Sequence, residues 1–191
     1  PNSVTNIDSA WDNNNLTSWD VLIPNSVTSI SFAWRGNNLT SWDVSIPNSV
    51  TSISSAWQFN DLTSWETEIP NSVTSIRAAW FNNNLISWDV PIPNSVTDIS
   101  AAWQNNPLED FAANIFDNCT CTNYKSAFVG TNLTQQSIDN ILVSINTSAQ
   151  NNNLNNGTFG QSGGSAPSAT GEAAIDALRA RGWAVTVTGG Y

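Results

Sequence analysis

Residues 24–46 read PNSVTSISFAWRGNNLTSWDVSI. The phrase returns every 23 residues, and Pro1, Pro24, Pro47, Pro70 and Pro93 mark the period. A unit this short cannot bury its apolar face alone and must stack on its neighbours, so the period predicts a solenoid. The second half, Leu39 to Ile46, has the L-x-x-L-x-L spacing with Trp42 in the middle slot. From Trp42 onward apolar and polar residues alternate, as on a strand with one buried face. Leu39, Trp42, Val44 and Ile46 are expected inside, and Thr40, Ser41, Asp43 and Ser45 on an open sheet. The first half carries Val27, Ile30, Ala33 and Trp34, spaced for a helical or 3₁₀ turn behind that sheet. Pro24 caps the strand, and Arg35 to Asn38 turn the chain back, Gly and Asn tolerating left-handed geometry.

The expected fold class is an α/β solenoid: a leucine-rich-repeat-like right-handed coil, parallel β-sheet on one face, with helix-strand units at the C-terminus. Residues 1–115 hold five 23-residue units and residues 116–191 diverged coils; a separate small domain is the competing reading of the second part. Trp19, Trp42, Trp65 and Trp88 form one buried column, and Trp11, Trp34, Trp57, Trp80 and Trp103 a second. Core packing is the expected role of these rings, since each Trp buries roughly 150–250 Å². Phe116 to Thr131 reads as irregular. A helix is expected from Leu133 to Ile145 with Thr134 as N-cap, then a short strand at Thr158–Phe159. A second helix is expected from Gly171 to Arg181, ended by Gly182, and a strand from Trp183 to Val187.

The phrases IPNSVTSI (residues 23–30 and 46–53) and LTSWDV (residues 16–21 and 39–44) resemble the BspA-like leucine-rich repeats of microbial surface proteins. The resemblance covers residues 1 to about 115. Trp stands where that family usually has Phe and smaller aliphatics. The resemblance implies a surface or secreted protein serving adhesion and protein interaction.

Composition narrows the function. Net charge is −10 and only 10% of residues are charged, so neither a nucleic-acid partner nor an anionic membrane surface is expected. No apolar run approaches the ~20 residues that span a bilayer. Histidine is absent, which removes the commonest general base and metal ligand. No nucleophile-base pair, phosphate loop or ligand cluster occurs, so no enzyme activity and no cofactor is expected. Cys119 and Cys121 are separated by one residue, too close for an easy mutual bridge. Intermolecular bridges, a metal with outside ligands, and reduced buried thiols all stand as readings.

Three sets of residues are candidate sites. Asp20, Asp43, Glu66 and Asp89 share one slot in consecutive units and predict a carboxylate ladder on the open face. With strands about 4.8 Å apart it is either a solvated face that discourages lateral stacking or a Ca²⁺-bridged row. Asn15, Asn38, Asn118, Asn132, Asn146 and Asn156 open N-x-S/T sequons, acceptors for N-linked glycans in a secreting eukaryote. Val4, Ile7, Trp11, Leu16 and Trp19 at one end, with Val185 and Val187 at the other, are the candidate assembly ends. An uncapped coil exposes its cross-section and its strand edge, and two unlike open ends stack head to tail.

The start in repeat phase and the lack of Met predict a processed or truncated chain, extracellular or at a cell surface. The leading expectation is a fibre subunit that self-assembles head to tail. The alternative is a surface adhesin or phage-type receptor-binding module whose acidic open face takes a surface protein or glycan.

Overall fold

The computed structural model describes residues 3–191. Pro1, the first of the period-marking prolines, lies outside them. In the unit at 24–46 all eight expected core residues are buried: Val27, Ile30, Ala33, Trp34, Leu39, Trp42, Val44 and Ile46. Thr40, Ser41, Asp43 and Ser45 are exposed. Side-chain facing therefore follows the alternation in the sequence.

The backbone pairing does not. Parallel bridges join Asn6, Ser29, Ser52, Ser75 and Asp98, all in first halves of units. From one unit to the next, Ile7 N–H donates to Ser29 O (3.2 Å), Ser9 to Ser31 (3.0 Å), Trp11 to Ala33 (2.9 Å) and Asn13 to Arg35 (2.8 Å). The same set recurs from Ile30 to Ser52, Phe32 to Ser54, Trp34 to Ala56 and Gly36 to Gln58. The expectation of a sheet on Trp42–Ile46 with a helical turn behind it is thus reversed. The ladder runs through the half that was read as the turn.

Alternation reports which side chains face the core, not which backbones meet. Trp42 and Trp65 stack with centroids 6.4 Å apart, against 5.9 Å for Trp34 and Trp57 on the ladder half. Trp42 Nε1 also donates to Val44 O at 2.7 Å, which occupies a carbonyl the ladder would need. Among the described residues, strands form on this half at one place. There β1 (Ser87–Trp88) pairs in parallel with β2 (Asp110–Phe111), where Phe111 replaces the tryptophan.

Two left-handed residues per unit bend the ladder half. Ser9, Phe32, Ser55, Ala78 and Ala101 hold one slot, with φ between 50° and 59°. Asn13, Gly36, Phe59, Asn82 and Asn105 hold the other, with φ between 55° and 65°.

After Asn105 the ladder continues. Trp103 N–H donates to Ala127 O (3.2 Å) and Asn105 to Val129 O (2.9 Å). The step from Trp103 to Ala127 is 24 positions, against 22 from Trp80 to Ala102, so two residues are inserted and looped out. Residues 116–131, read as irregular, hold β3 (Asn123–Val129), the longest strand. It pairs in parallel with β4 (Thr158–Ser162), and β4 with β5 (Ala184–Thr186). The Trp column ends on Phe128, stacked 5.4 Å from Trp103.

Two helices complete the chain: α1 (Gln135–Asn151), N-capped by Thr134 as expected, and α2 (Ala169–Arg179), N-capped by Ser168. Helix α1 runs on through 146–151, past the end expected at Ile145. It takes the place of the next second half. Ser144 Oγ accepts from Phe116 N–H at 2.8 Å, and Ser137 Oγ accepts from Phe111 N–H at 2.9 Å.

Candidate binding surfaces

The polar turns hold a buried feature that the sequence reading missed. Asn37, Asn60, Asn83 and Asn106 are buried in one column. Asn60 Nδ2 donates to Trp34 O (2.8 Å) and Trp57 O (3.1 Å), and Asn60 Oδ1 accepts from Leu39 N–H (3.0 Å). Asn83 and Asn106 repeat the pattern one and two units on. Each amide ties the backbones of two units across a corner, beside the single backbone bond there, as from Asp61 N–H to Leu39 O at 3.0 Å. The available signal was its fixity: Asn60, Asn83 and Asn106 persist while the next residue changes from Asp61 to Asn84 to Pro107. First-half indoles are held otherwise. The Nε1 groups of Trp34, Trp57, Trp80 and Trp103 have no hydrogen-bond partner, and their rings pack against neighbouring indoles.

The N-terminal end is apolar and open. Trp11 lies 5.5 Å from Trp34 in a parallel stack, while Val4, Ile7, Leu16 and Trp19 are only half-buried. Val21 is 58% exposed, whereas Val44 in the same slot of the next unit is 5% exposed. Leu22 is 77% exposed and stands where later units place Ser45, Glu68 and Pro91. Val4, Ile7, Trp11, Trp19, Val21 and Leu22 line a cavity of about 330 Å³.

The C-terminal end is different, and the expectation that Val185 and Val187 form a second open face is corrected. Both side chains are buried. Their carbonyls are engaged as well: Val185 O accepts from Arg179 at 3.2 Å and Val187 O from Gly190 N–H at 3.2 Å. Tyr191 folds back over α2, its hydroxyl on Asp176 at 2.9 Å and its carbonyl on Arg179 at 2.7 Å. A charged side chain and a curled tail blunt the edge strand in the usual protective way.

Asp20, Asp43, Glu66 and Asp89 are all exposed. Asp43 and Glu66 line one open groove of about 580 Å³ with Ser41, Ser45 and Ser64. Glu68 joins them there, a carboxylate the repeat pattern did not single out. Asp20 does not line this groove, and Asp89 lies in another hollow with Asp110. Among the described residues, no three His, Cys, Asp or Glu residues are grouped to hold a metal ion.

Cys119 and Cys121 are free and buried. Their thiols donate to Val96 O and Thr97 O of the preceding unit at 3.6 and 3.3 Å. They thus stand in for the hydroxyls of Ser72, on Val50 O, and Thr97, on Thr74 O. The hydrogen bond with the Cys119 thiol and burial push Cys121 up, so it stays protonated. Of the sequon asparagines, Asn15, Asn38, Asn118, Asn132 and Asn156 are exposed. Asn146 lies inside α1, half-buried.

A BspA type leucine rich repeat region matches residues 1–120 in six copies. The chain belongs to that family. The six BspA-type copies are one more than the five units counted from the prolines. No curated protein and no solved structure matches the chain. Among the described residues of this BspA-type protein, no helix is long and apolar enough to cross a membrane.

Proposed function

We propose that the chain is a non-enzymatic adhesion-type protein of a cell surface or the extracellular space. Residues 1–115 act as a right-handed solenoid, and residues 116–191 close its C-terminal end. Its contacts are made by the exposed Ser, Thr and carboxylate face of the second halves. Membership of the BspA-type family supports the class. The observation that carries the surface is the groove where Asp43, Glu66 and Glu68 converge among hydroxyls. Three carboxylates without a cation among the residues lining the groove make a net-negative surface. Its complement is a lysine- or arginine-bearing protein surface.

Beads coated with the full chain, offered a lysine-rich peptide surface and a neutral polysaccharide surface, test this. Retention on the lysine surface is expected. It falls at raised salt and in the triple variant Asp43→Asn, Glu66→Gln, Glu68→Gln. Retention on the polysaccharide alone would move the reading to hydroxyl recognition, and retention on neither would overturn it. A head-to-tail fibre has less support, because the covered β5 edge gives the apolar N-terminal end of a second copy nothing to stack on.

A further inference from the structure

One stretch of the ladder departs from the repeat at three slots at once. The bond from Trp103 N–H to Ala127 O sets the register, and it puts Tyr124 where earlier units hold Ile30, Ile53, Ile76 and Ile99. Cys119 and Cys121 take over the hydroxyl roles that Ser72 and Thr97 fill elsewhere. The three replacements meet. The two thiols hydrogen-bond each other, and the Tyr124 phenol faces Cys119. All three side chains are buried, Tyr124 wholly so. Phe116 packs edge-on to Tyr124 at 5.3 Å and Trp183 lies at 6.1 Å, which makes the wall behind the phenol aromatic.

Packing does not account for this set. A serine and a threonine make the same bonds to carbonyls in earlier units. An isoleucine would fill the third slot without burying a hydroxyl. The Tyr124 hydroxyl has no hydrogen-bond partner, and a buried orphan of this kind costs about 1–3 kcal/mol. The sulfurs, by contrast, are well supplied with donors. Cys121 N–H donates to Cys119 Sγ at 3.4 Å, and Asn123 N–H to Cys121 Sγ at 3.3 Å. With the idle phenol beside them, these donors suit thiolates better than thiols.

Buried thiolates need a counter-charge. Among the described residues, no third His, Cys, Asp or Glu joins the pair. Zinc and iron–sulfur clusters call for four ligands and are set aside. Two thiolates satisfy a soft monovalent cation of the copper(I) kind. A mutual disulfide would draw the sulfurs to about 2.05 Å across one intervening residue, whereas metal–sulfur bonds of about 2.3 Å leave them about 4 Å apart.

We propose that Cys119 and Cys121 form a binding site for a soft monovalent cation, copper(I) or silver(I), in which the Tyr124 hydroxyl and the N–H groups of Cys121 and Asn123 donate to the sulfurs. On binding, two S–H bonds break and two sulfur–metal bonds form. Both protons go to water, and no electron is transferred. The carbonyls of Val96 and Thr97 lose weak S–H donors, and Tyr124 gains the acceptor it lacks. Asn118, Thr120 and Asn123 are exposed, so the sulfurs sit just beneath the surface of their own segment.

The test offers silver(I) to the full, reduced chain. The sequence has no His and no Met, so these two sulfurs are its only thiol, thioether or imidazole ligands. Native mass spectrometry is expected to find one silver ion per chain after desalting, and the melting temperature to rise. The double variant Cys119→Ser, Cys121→Thr carries the residues of the equivalent slots. It should melt as the metal-free parent does and retain no silver. Tyr124→Phe should leave the metal-free melting temperature at pH 7 unchanged and weaken silver binding about ten- to a hundredfold. Silver held equally by the double variant, a separate silver ion on each thiol, or a melting temperature lowered by silver would overturn the proposal. So would zinc retained as firmly as silver, or Tyr124→Phe binding silver as the parent does.

Discussion

Asn60 donates from Nδ2 to the carbonyl of Trp34, 26 residues earlier, at 2.8 Å. One side chain thereby serves a neighbouring unit's backbone, its own Trp57 carbonyl and, through Oδ1, the N–H of Leu39. Asn60→Ala strands all three in a buried place, each at roughly 1–3 kcal/mol. A loss of about 3 kcal/mol or more is expected in urea unfolding, against a few tenths for Asn14→Ala, whose amide is exposed.

Phe59 holds a left-handed slot (φ 57°) that Asn13, Asn82 and Asn105 also occupy. A bulky side chain there costs about 1–2 kcal/mol. Phe59 is 46% exposed, and its T-shaped contact with Phe81 offsets part of that cost. Phe59→Asn should raise the melting temperature. Gly36→Ala should lower it, because a Cβ at φ 65° would run into the Asn13 side chain.

Alkaline pH should weaken the fold before any loss of charge balance does. Burial pushes the Tyr124 phenol well above its ordinary value of 10.0. The folded chain keeps a proton there that the unfolded chain gives up, so this contribution is whole below about pH 10 and is lost as pH rises past it. The Tyr124 hydroxyl has no hydrogen-bond partner, so Tyr124→Phe should melt like the parent at pH 7. Above pH 10 it should melt higher.

Arg35 pins the first unit to the second, its guanidinium 2.7 Å from Asp12 with both side chains partly in solvent. Arg35→Gln, the residue found in that slot at Gln58 and Gln104, should cost under about 1 kcal/mol. The difference between parent and variant should shrink at high salt, measured by melting at low and high ionic strength.

In a glycosylating secretory host, intact mass and peptide mapping should find glycan at Asn15 or Asn38, both exposed in turns. Asn146 should carry none, because helix α1 buries half of it and a glycan there would break the packing against Phe116.

The inward residues of the repeat were legible because burial and spacing carry the same information: Val27, Ile30, Leu39 and Val44 sit where periodicity put them. The path of the ladder was not. Ser29–Gly36 has no strand-like alternation, since two left-handed residues break it, while Trp42–Ile46 alternates cleanly and pairs with nothing. The Asn60 column was hidden by its surroundings, for in a turn crowded with asparagines nothing in composition separates a buried amide from a solvated one. Strand β3 was masked by the two-residue insertion before Tyr124, which breaks the 23-residue count. The covered β5 edge depends on Arg179 and Tyr191 meeting across 12 positions, which no local pattern announces.

The uninterrupted ladder from Ile7 to β5 also sets where the molecule gives way. Among the described residues, β5 at one end is held by Arg179 and Tyr191 as well as by β4, whereas the unit at Trp11 is gripped from one side alone. Heat, denaturant or a pulling force should therefore peel the chain from that end inward, one turn after another. The helices and the β3–β4–β5 sheet would be the last to let go, a spool that unwinds from its free end while its hub stays wound.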